Sequence, residues 1–303
     1  MTDRRNFVSH GHAPPFRSWP NGAGLAVNFV VKVEEGAELS LGDGDERNES
    51  IYEAVERVDG DIDLCMESHF KYGPRAGWPR IRAALADRGA VGTLNACGRA
   101  IQRTPWLAQE AVADGHEIAA HGWRWERHVQ MAEDAERRAI AQTVDALQHA
   151  AGVAPTGWHT RSATSPRTRD LLVAQGGFLY DSNAYNDDLP FVLTTARGPH
   201  VVLPYAFDTN DMRFFIRGGF VFAEDFARYC IAAFDRLLQE SRTAPRMLSI
   251  GLHTRIIGRP ARIGGLELVL NHVLSHPDVW IARRDQMAHA WRQGLGLPGW
   301  QPA

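Results

Sequence analysis

Short apolar runs alternate with helical segments along almost the whole chain, and this alternation constrains the fold more than any other feature. The run Leu25–Val33 (LAVNFVVKV) is rich in β-branched residues and reads as a buried first strand. Further strand-like runs lie at 90–94, Glu117–Ala120, 201–203, 247–252 and 279–282. Between them, apolar residues recur at helical spacing over 79–86, Pro105–Ala113, 132–150, 166–174, 224–240 and 263–274. Pro105 opens one of these helices and Asp114-Gly115 follows its end, the proline-first, glycine-last asymmetry of helices. Repeated strand–helix–strand units call for parallel strands joined by crossover helices. An open doubly wound sheet and a barrel both satisfy the pattern, and both gather chemistry at the carboxyl ends of their strands. A chain of 303 residues is long enough for one large core, so we expect a single domain over 1–303 with an N-terminal extension at 1–24.

Charge narrows the partners. Lys and Arg number 33 against 36 Asp and Glu, a net charge of -3. So even a balance gives no electrostatic reason to expect nucleic acid or an anionic membrane. The three cysteines, Cys65, Cys97 and Cys230, are odd in number and lack metal-knuckle spacing, which fits buried thiols in a reducing compartment. The first residues carry two arginines but no apolar stretch behind them, and no segment has the length of a membrane span. The expectation is a soluble cytoplasmic protein.

Polar residues at the strand ends are the candidates for chemistry. Glu34 and Glu35 follow the first strand. Two adjacent carboxylates repel, so one should rise toward neutral pH and serve as a general base; a solvated acidic loop is the plainer alternative. His121 follows another strand and opens HGWRWERH (121–128). If a helix starts there, His121 and Trp125 share a face, yet Trp125 cannot ligate a metal, and His128 lies two turns away. His253 ends a late apolar strand and suits a general acid, since its ordinary pKa is near neutral. Arg255, Arg259 and Arg262 follow it as donors for a carbonyl, carboxylate or ureido group, or as partners of surface acids. The Asx-rich stretches around 181, 187 and 208–211 read as turns, with Asp208 and Asn210 the exceptions because an apolar strand leads into them.

Together these pieces resemble the polysaccharide-deacetylase superfamily, whose fold is a distorted (β/α)7-8 barrel, and within it the allantoinase subgroup of uric-acid breakdown. The resemblance runs from about residue 28 to 291 and rests on VEEGAE (33–38), HGWRW (121–125), DTNDMRF (208–214), SIGLH (249–253) and IGRPAR (257–262), with Asp181-Ser182 a further common element. Glu34-Glu35 stands where the superfamily carries two aspartates, and Trp125 stands where it carries a second metal histidine. The resemblance implies a homo-oligomer, a tetramer as in the subgroup, that opens a cyclic amide such as allantoin or a related hydantoin. It implies Glu34, Glu35, His121 and His253 as catalytic groups, and no metal; were a divalent ion such as zinc bound, Glu35 and His121 would be its ligands. Trp123 and Trp125 would wall the pocket, Arg124, Arg255 or backbone amides would hold the oxyanion, and Arg259, Asp208 and Asn210 would contact substrate. His159 and Arg161 lie on the loop that positions substrate, where the pattern differs from that of allantoinases. A metal-dependent cyclic imide hydrolase, an N-deacetylase and an inactive small-molecule-binding barrel are the alternatives.

Overall fold

The computed structural model describes Phe7 and residues 13–51, 53 and 56–301. In chain order the elements are β1 (Leu25–Val33), α1 (Leu64–Tyr72), α2 (Trp78–Ala86), β2 (Thr93–Ala96), α3 (Gly98–Arg103), α4 (Pro105–Ala113) and β3 (Glu117–Ala120). There follow α5 (Glu133–Ala151), β4 (Gly157–Trp158), α6 (Thr168–Gln175), β5 (Tyr180–Asp181), β6 (Phe191–Thr195) and β7 (Gly198–Val202). The last are α7 (Ala223–Glu240), β8 (Arg246–His253), α8 (Pro260–Leu274), β9 (Val279–Ile281) and α9 (Arg284–Gly294).

Every residue of β1 is buried, as an unbroken β-branched run demands of a strand covered on both faces. β8 runs parallel along one edge, from Leu25↔Arg246 to Lys32↔His253. The other edge is shared: β9 pairs with residues 25–27, and β2 with residues 30–33. From β2 the parallel sheet continues through β3, β4, β5 and β7, and β6 closes the path as the antiparallel arm of a hairpin. The path does not join β6 to β8. An isolated parallel bridge, Asn210↔Gly251, instead brings the segment after β7 against the open edge of β8. The result is a curled, mostly parallel half-barrel, the distorted barrel expected from the sequence.

The helices end where their sequences allow. Asp63 caps α1 by accepting from Met66 N at 2.8 Å, and Pro105 and Pro260 open α4 and α8. α1 and α2 are joined by a single π turn, Gly73–Gly77. Apolar faces of α2, α4, α5, α7 and α8 pack with β1, β2 and β8 into the main core. A second cluster unites Phe16, Trp19, Leu203, Met287 and Trp291. Residues 13–24, read as an extension, are therefore part of the packing: Trp19 Nε1 donates to the Arg246 carbonyl at 2.8 Å, and Phe16 lies 4.7 Å from Trp291. The three cysteines are free; Cys97 and Cys230 are buried and Cys65 is exposed. Among the described residues no helix is long and apolar enough to cross a membrane.

Candidate active site

Three strand ends meet in one cleft of about 250 Å³. Glu34 enters from β1, His121 from β3 and His253 from β8, and all three are buried. Glu34 Oε1 lies 3.3 Å from His121 Nε2 and 3.8 Å from His253 Nε2. Its other oxygen accepts from Arg255 Nη1 at 2.8 Å. His121, His253 and Arg255, which lie 87, 219 and 221 positions further along the chain, thus converge on one carboxylate, which parallel strands with aligned carboxyl ends make achievable.

The electrostatics differ from the sequence expectation. Burial alone would raise the Glu34 carboxyl, but His253, Arg255 and His121 outweigh it and hold the group well below the usual range. Glu34 is not the raised member of a repelling pair. The chain leaves β1 and turns at Glu35–Gly36, closed by Ala37 N donating to the Glu34 carbonyl at 2.9 Å, and Glu35 faces away from the cleft. Its carboxylate accepts from Thr254 Oγ1 at 2.5 Å and from Arg255 N at 3.2 Å, with Arg255 Nη1 at 3.6 Å. Glu35 anchors the loop that follows β8 and does not line the cleft.

His253 is fixed by a residue that the sequence reading passed over. Asp211 Oδ1 lies 2.6 Å from His253 Nδ1, and Asp211 Oδ2 accepts from His253 N and Ile257 N at 2.6 and 3.1 Å. Burial opposes the imidazolium, but Asp211 and Glu34 prevail, and the His253 pKa is raised. Asp208, singled out from the same stretch, is exposed and lies outside the cleft. Asn210 does line it; its Oδ1 caps Met212 N and its Nδ2 reaches the Tyr205 hydroxyl at 3.2 Å. The signal missed was register: Asn210 bridges β8, which puts Asp211 beside the strand end.

His121 does not begin a helix. Gly122 takes φ +88° and turns the chain, so HGWRW is a loop. His121 Nδ1 contacts the His159 carbonyl, and burial together with Lys32 lowers its pKa to about 4 against the pull of Glu34. The Nε2 edge of His121 meets Glu34 Oε1, the contact through which this ring helps hold the carboxyl low.

The remaining expected residues divide. Trp125, His159, Arg161 and Arg255 line the cleft. Arg161 stacks over Trp125 at 3.4 Å and donates to its carbonyl at 2.9 Å. Trp123 does not wall the pocket; its ring lies against Gly98. Arg124 is turned away, paired with Asp45 and donating to the Ala37 and Glu38 carbonyls. Arg259 sits outside the cleft, stacked over Tyr72 at 3.6 Å with His69 Nδ1 at 3.1 Å. Arg255, offered as an oxyanion donor, is held by Glu34, Glu35 and Glu53, which raise its pKa although burial would lower it. The sequence reading also missed Lys32, Glu53 and the aromatic wall of Tyr185, Tyr205 and Phe207. Tyr185 and Phe207 stack at 4.0 Å, a flat apolar face suited to a planar ring. Burial lowers the Lys32 ammonium to about 7, against Glu34.

Metal ligation is a poor fit for these residues. Glu35 and His121, the pair a metal would use, do not face each other, and a guanidinium already neutralises Glu34. Among the described residues no group of three or more His, Cys, Asp or Glu side chains is arranged to hold an ion.

Comparisons with known proteins agree with this architecture. The family model described as Polysaccharide deacetylase matches residues 64–179. A Schizosaccharomyces pombe protein, provisionally named a polysaccharide deacetylase, is 34% identical over 96% of this chain and 98% of its own. The crystal structure of a Pseudomonas aeruginosa PAO1 protein, named a probable polysaccharide deacetylase, is 42% identical with a TM-score of 0.91, covering 96% of this chain and 98% of that one. The crystal structure of PuuE allantoinase is 39% identical with a TM-score of 0.92, covering 97% and 98%.

Proposed function

The chain belongs to the polysaccharide deacetylase family, and from that premise we propose that it opens a cyclic amide, allantoin or a related hydantoin, by attack of water on the ring carbonyl. The observation that carries the reading is the Glu34 carboxylate, held ionised between a neutral imidazole, a protonatable imidazole and a guanidinium. Glu34 and His121 orient a water; Glu34 takes its proton as the new C–O bond forms. His253, whose imidazolium Asp211 favours, gives a proton to the ring nitrogen as the C–N bond breaks. Ring opening then yields a carboxylic acid, which loses its proton to solvent as a carboxylate, and a ureido or amide nitrogen, and the Glu34 proton returns to His253 across 3.8 Å. The small cleft with a flat aromatic wall favours a planar ring over an extended saccharide, and the likeness to PuuE allantoinase over nearly the whole chain supports it.

Because Arg255 occupies Glu34, the reading is a metal-independent one. N-deacetylation is the second reading, favoured by the names of the S. pombe and P. aeruginosa relatives. One screen separates them: allantoin, hydantoin, dihydropyrimidines, succinimide, maleimide and N-acetyl sugars, after exhaustive chelation and again with zinc. We expect turnover of a cyclic amide that chelation leaves intact. Turnover confined to N-acetyl sugars and restored by zinc would overturn it.

A further inference from the structure

The reaction proposed above needs a donor at the carbonyl oxygen, and the arginines nearest the chemistry are engaged elsewhere. Arg124 is paired with Asp45 outside the cleft, and Arg255 is shared among Glu34, Glu35 and Glu53. Lys32 differs from both. It stands two residues before Glu34 on β1, so its side chain leaves the same face of the strand. It lines the cleft while only 3% exposed. Its ammonium lies beside His159 Nδ1 and 4.8 Å from the centre of the Tyr205 ring. Asn95 Nδ2 also approaches His159 Nδ1, at 3.3 Å, so that nitrogen is the acceptor and the ring proton sits on Nε2, toward the Tyr185 hydroxyl at 3.0 Å. His159 therefore orients Lys32 by holding one N–H and leaves two others for the cleft. Among the described residues Lys32 has no carboxylate at ion-pair distance. Keeping a buried ammonium without such a partner is costly, and costly groups at the floor of a cleft are functional candidates.

We propose that Lys32, oriented by His159, supplies the hydrogen bond and positive charge that hold the scissile carbonyl oxygen as it becomes an oxyanion. The assignment rests on the hydrolytic reading. Water attacks the carbonyl carbon, the π pair moves onto the oxygen beside Lys32 Nζ, and that pair re-forms the C=O bond as nitrogen leaves with the His253 proton. The same oxygen ends as a carboxylate oxygen of the product, still facing Lys32.

The test compares Lys32→Met and Lys32→Gln with Lys32→Arg in the full chain, with thermal melts to confirm folding. One measurement is kcat and KM on whichever amide is turned over. The other is calorimetric affinity for hydantoate, the carboxylate that hydantoin opening releases, and for acetate, which N-deacetylation releases. Both neutral variants should lose about 10²–10³ in kcat with little change in KM. Affinity for at least one carboxylate should fall by about tenfold or more, and Lys32→Arg should recover part of both losses. Neutral variants whose kcat and carboxylate affinities stay within about threefold of wild type would overturn the assignment, as would a wild type that binds neither carboxylate. No turnover of any cyclic amide, with carboxylate affinity still dependent on Lys32, would remove the ring-opening reading and leave Lys32 in place.

Discussion

Glu34 and its neighbour show how one residue step decides a role. Glu34 meets His121, His253 and Arg255 in the cleft, whereas Glu35 is taken by Thr254 and Arg255 behind it. Glu34→Gln should lower kcat/KM by about 10²–10⁴, the range for a lost general base. Steady-state kinetics reads this directly, and a loss of only a few-fold would take Glu34 out of the proton transfer. Asp211 sets the acid. The folded pKa of His253 is raised because Asp211 and Glu34 outweigh burial. The stability it contributes is therefore complete below the unfolded pKa and is lost as pH rises through the folded one. Asp211→Asn removes the principal support of the imidazolium, so the alkaline limb of the kcat/KM profile should move to lower pH. An alkaline limb that stays in place would mean that His253 does not set it, leaving Lys32, whose ammonium burial lowers to about 7, as the group that does.

At the scale of elements, the site depends on how closely the π turn of Gly73–Gly77 approaches the loop after β8. A Cβ on Gly73 would meet the Glu35 carboxyl at 2.5 Å, and one on Gly77 would stand 1.9 Å from the Thr254 carbonyl oxygen. The second neighbour is backbone, which cannot swing aside. Gly77→Ala should cost about 3 kcal/mol of stability, at the upper end for overpacking, and should weaken the Thr254–Glu35 contact. Urea unfolding measures the first effect; a variant as stable as wild type would mean that turn and loop separate freely. This region was hard to see in the sequence because α1 buries only Met66 and Phe70, too few for a helical stripe to stand out. β4 and β5 escaped for a similar reason: two residues each are shorter than any periodicity. The long helices α5, α7 and α8 were legible within a few residues because their apolar stripes repeat over several turns.

For the whole molecule, we propose that 1–303 is one catalytic unit, since β1, β3 and β8 each contribute a group to a single cleft. We further propose that the chain assembles with itself, as a tetramer. Val221 and Phe222, adjacent at the start of α7, are 74% and 68% exposed, and Ile216 nearby is 53% exposed, an apolar surface unusual for a protein that stays alone. Light scattering should return a multiple of the 33.7 kDa chain mass, and Phe222→Glu should shift it downward. A monomer at micromolar concentration would remove the proposal.

The pattern of apolar runs was enough to determine parallel strands with crossover helices, and to put an acid and two histidines at strand ends. These are local properties: a strand's burial and its last residue are written in consecutive side chains. Which of those residues face one another was decided only by the tertiary structure. Lys32 acquires its meaning from His159 and Tyr205, Asp211 from the bridge between Asn210 and Gly251, and Arg124 loses its expected place to Asp45. Side chains alternate across an extended chain and loops turn freely at glycines such as Gly122, so a shift of one residue reverses which group enters the cleft. That choice is made by contacts between segments far apart along the polypeptide, where periodicity carries no information.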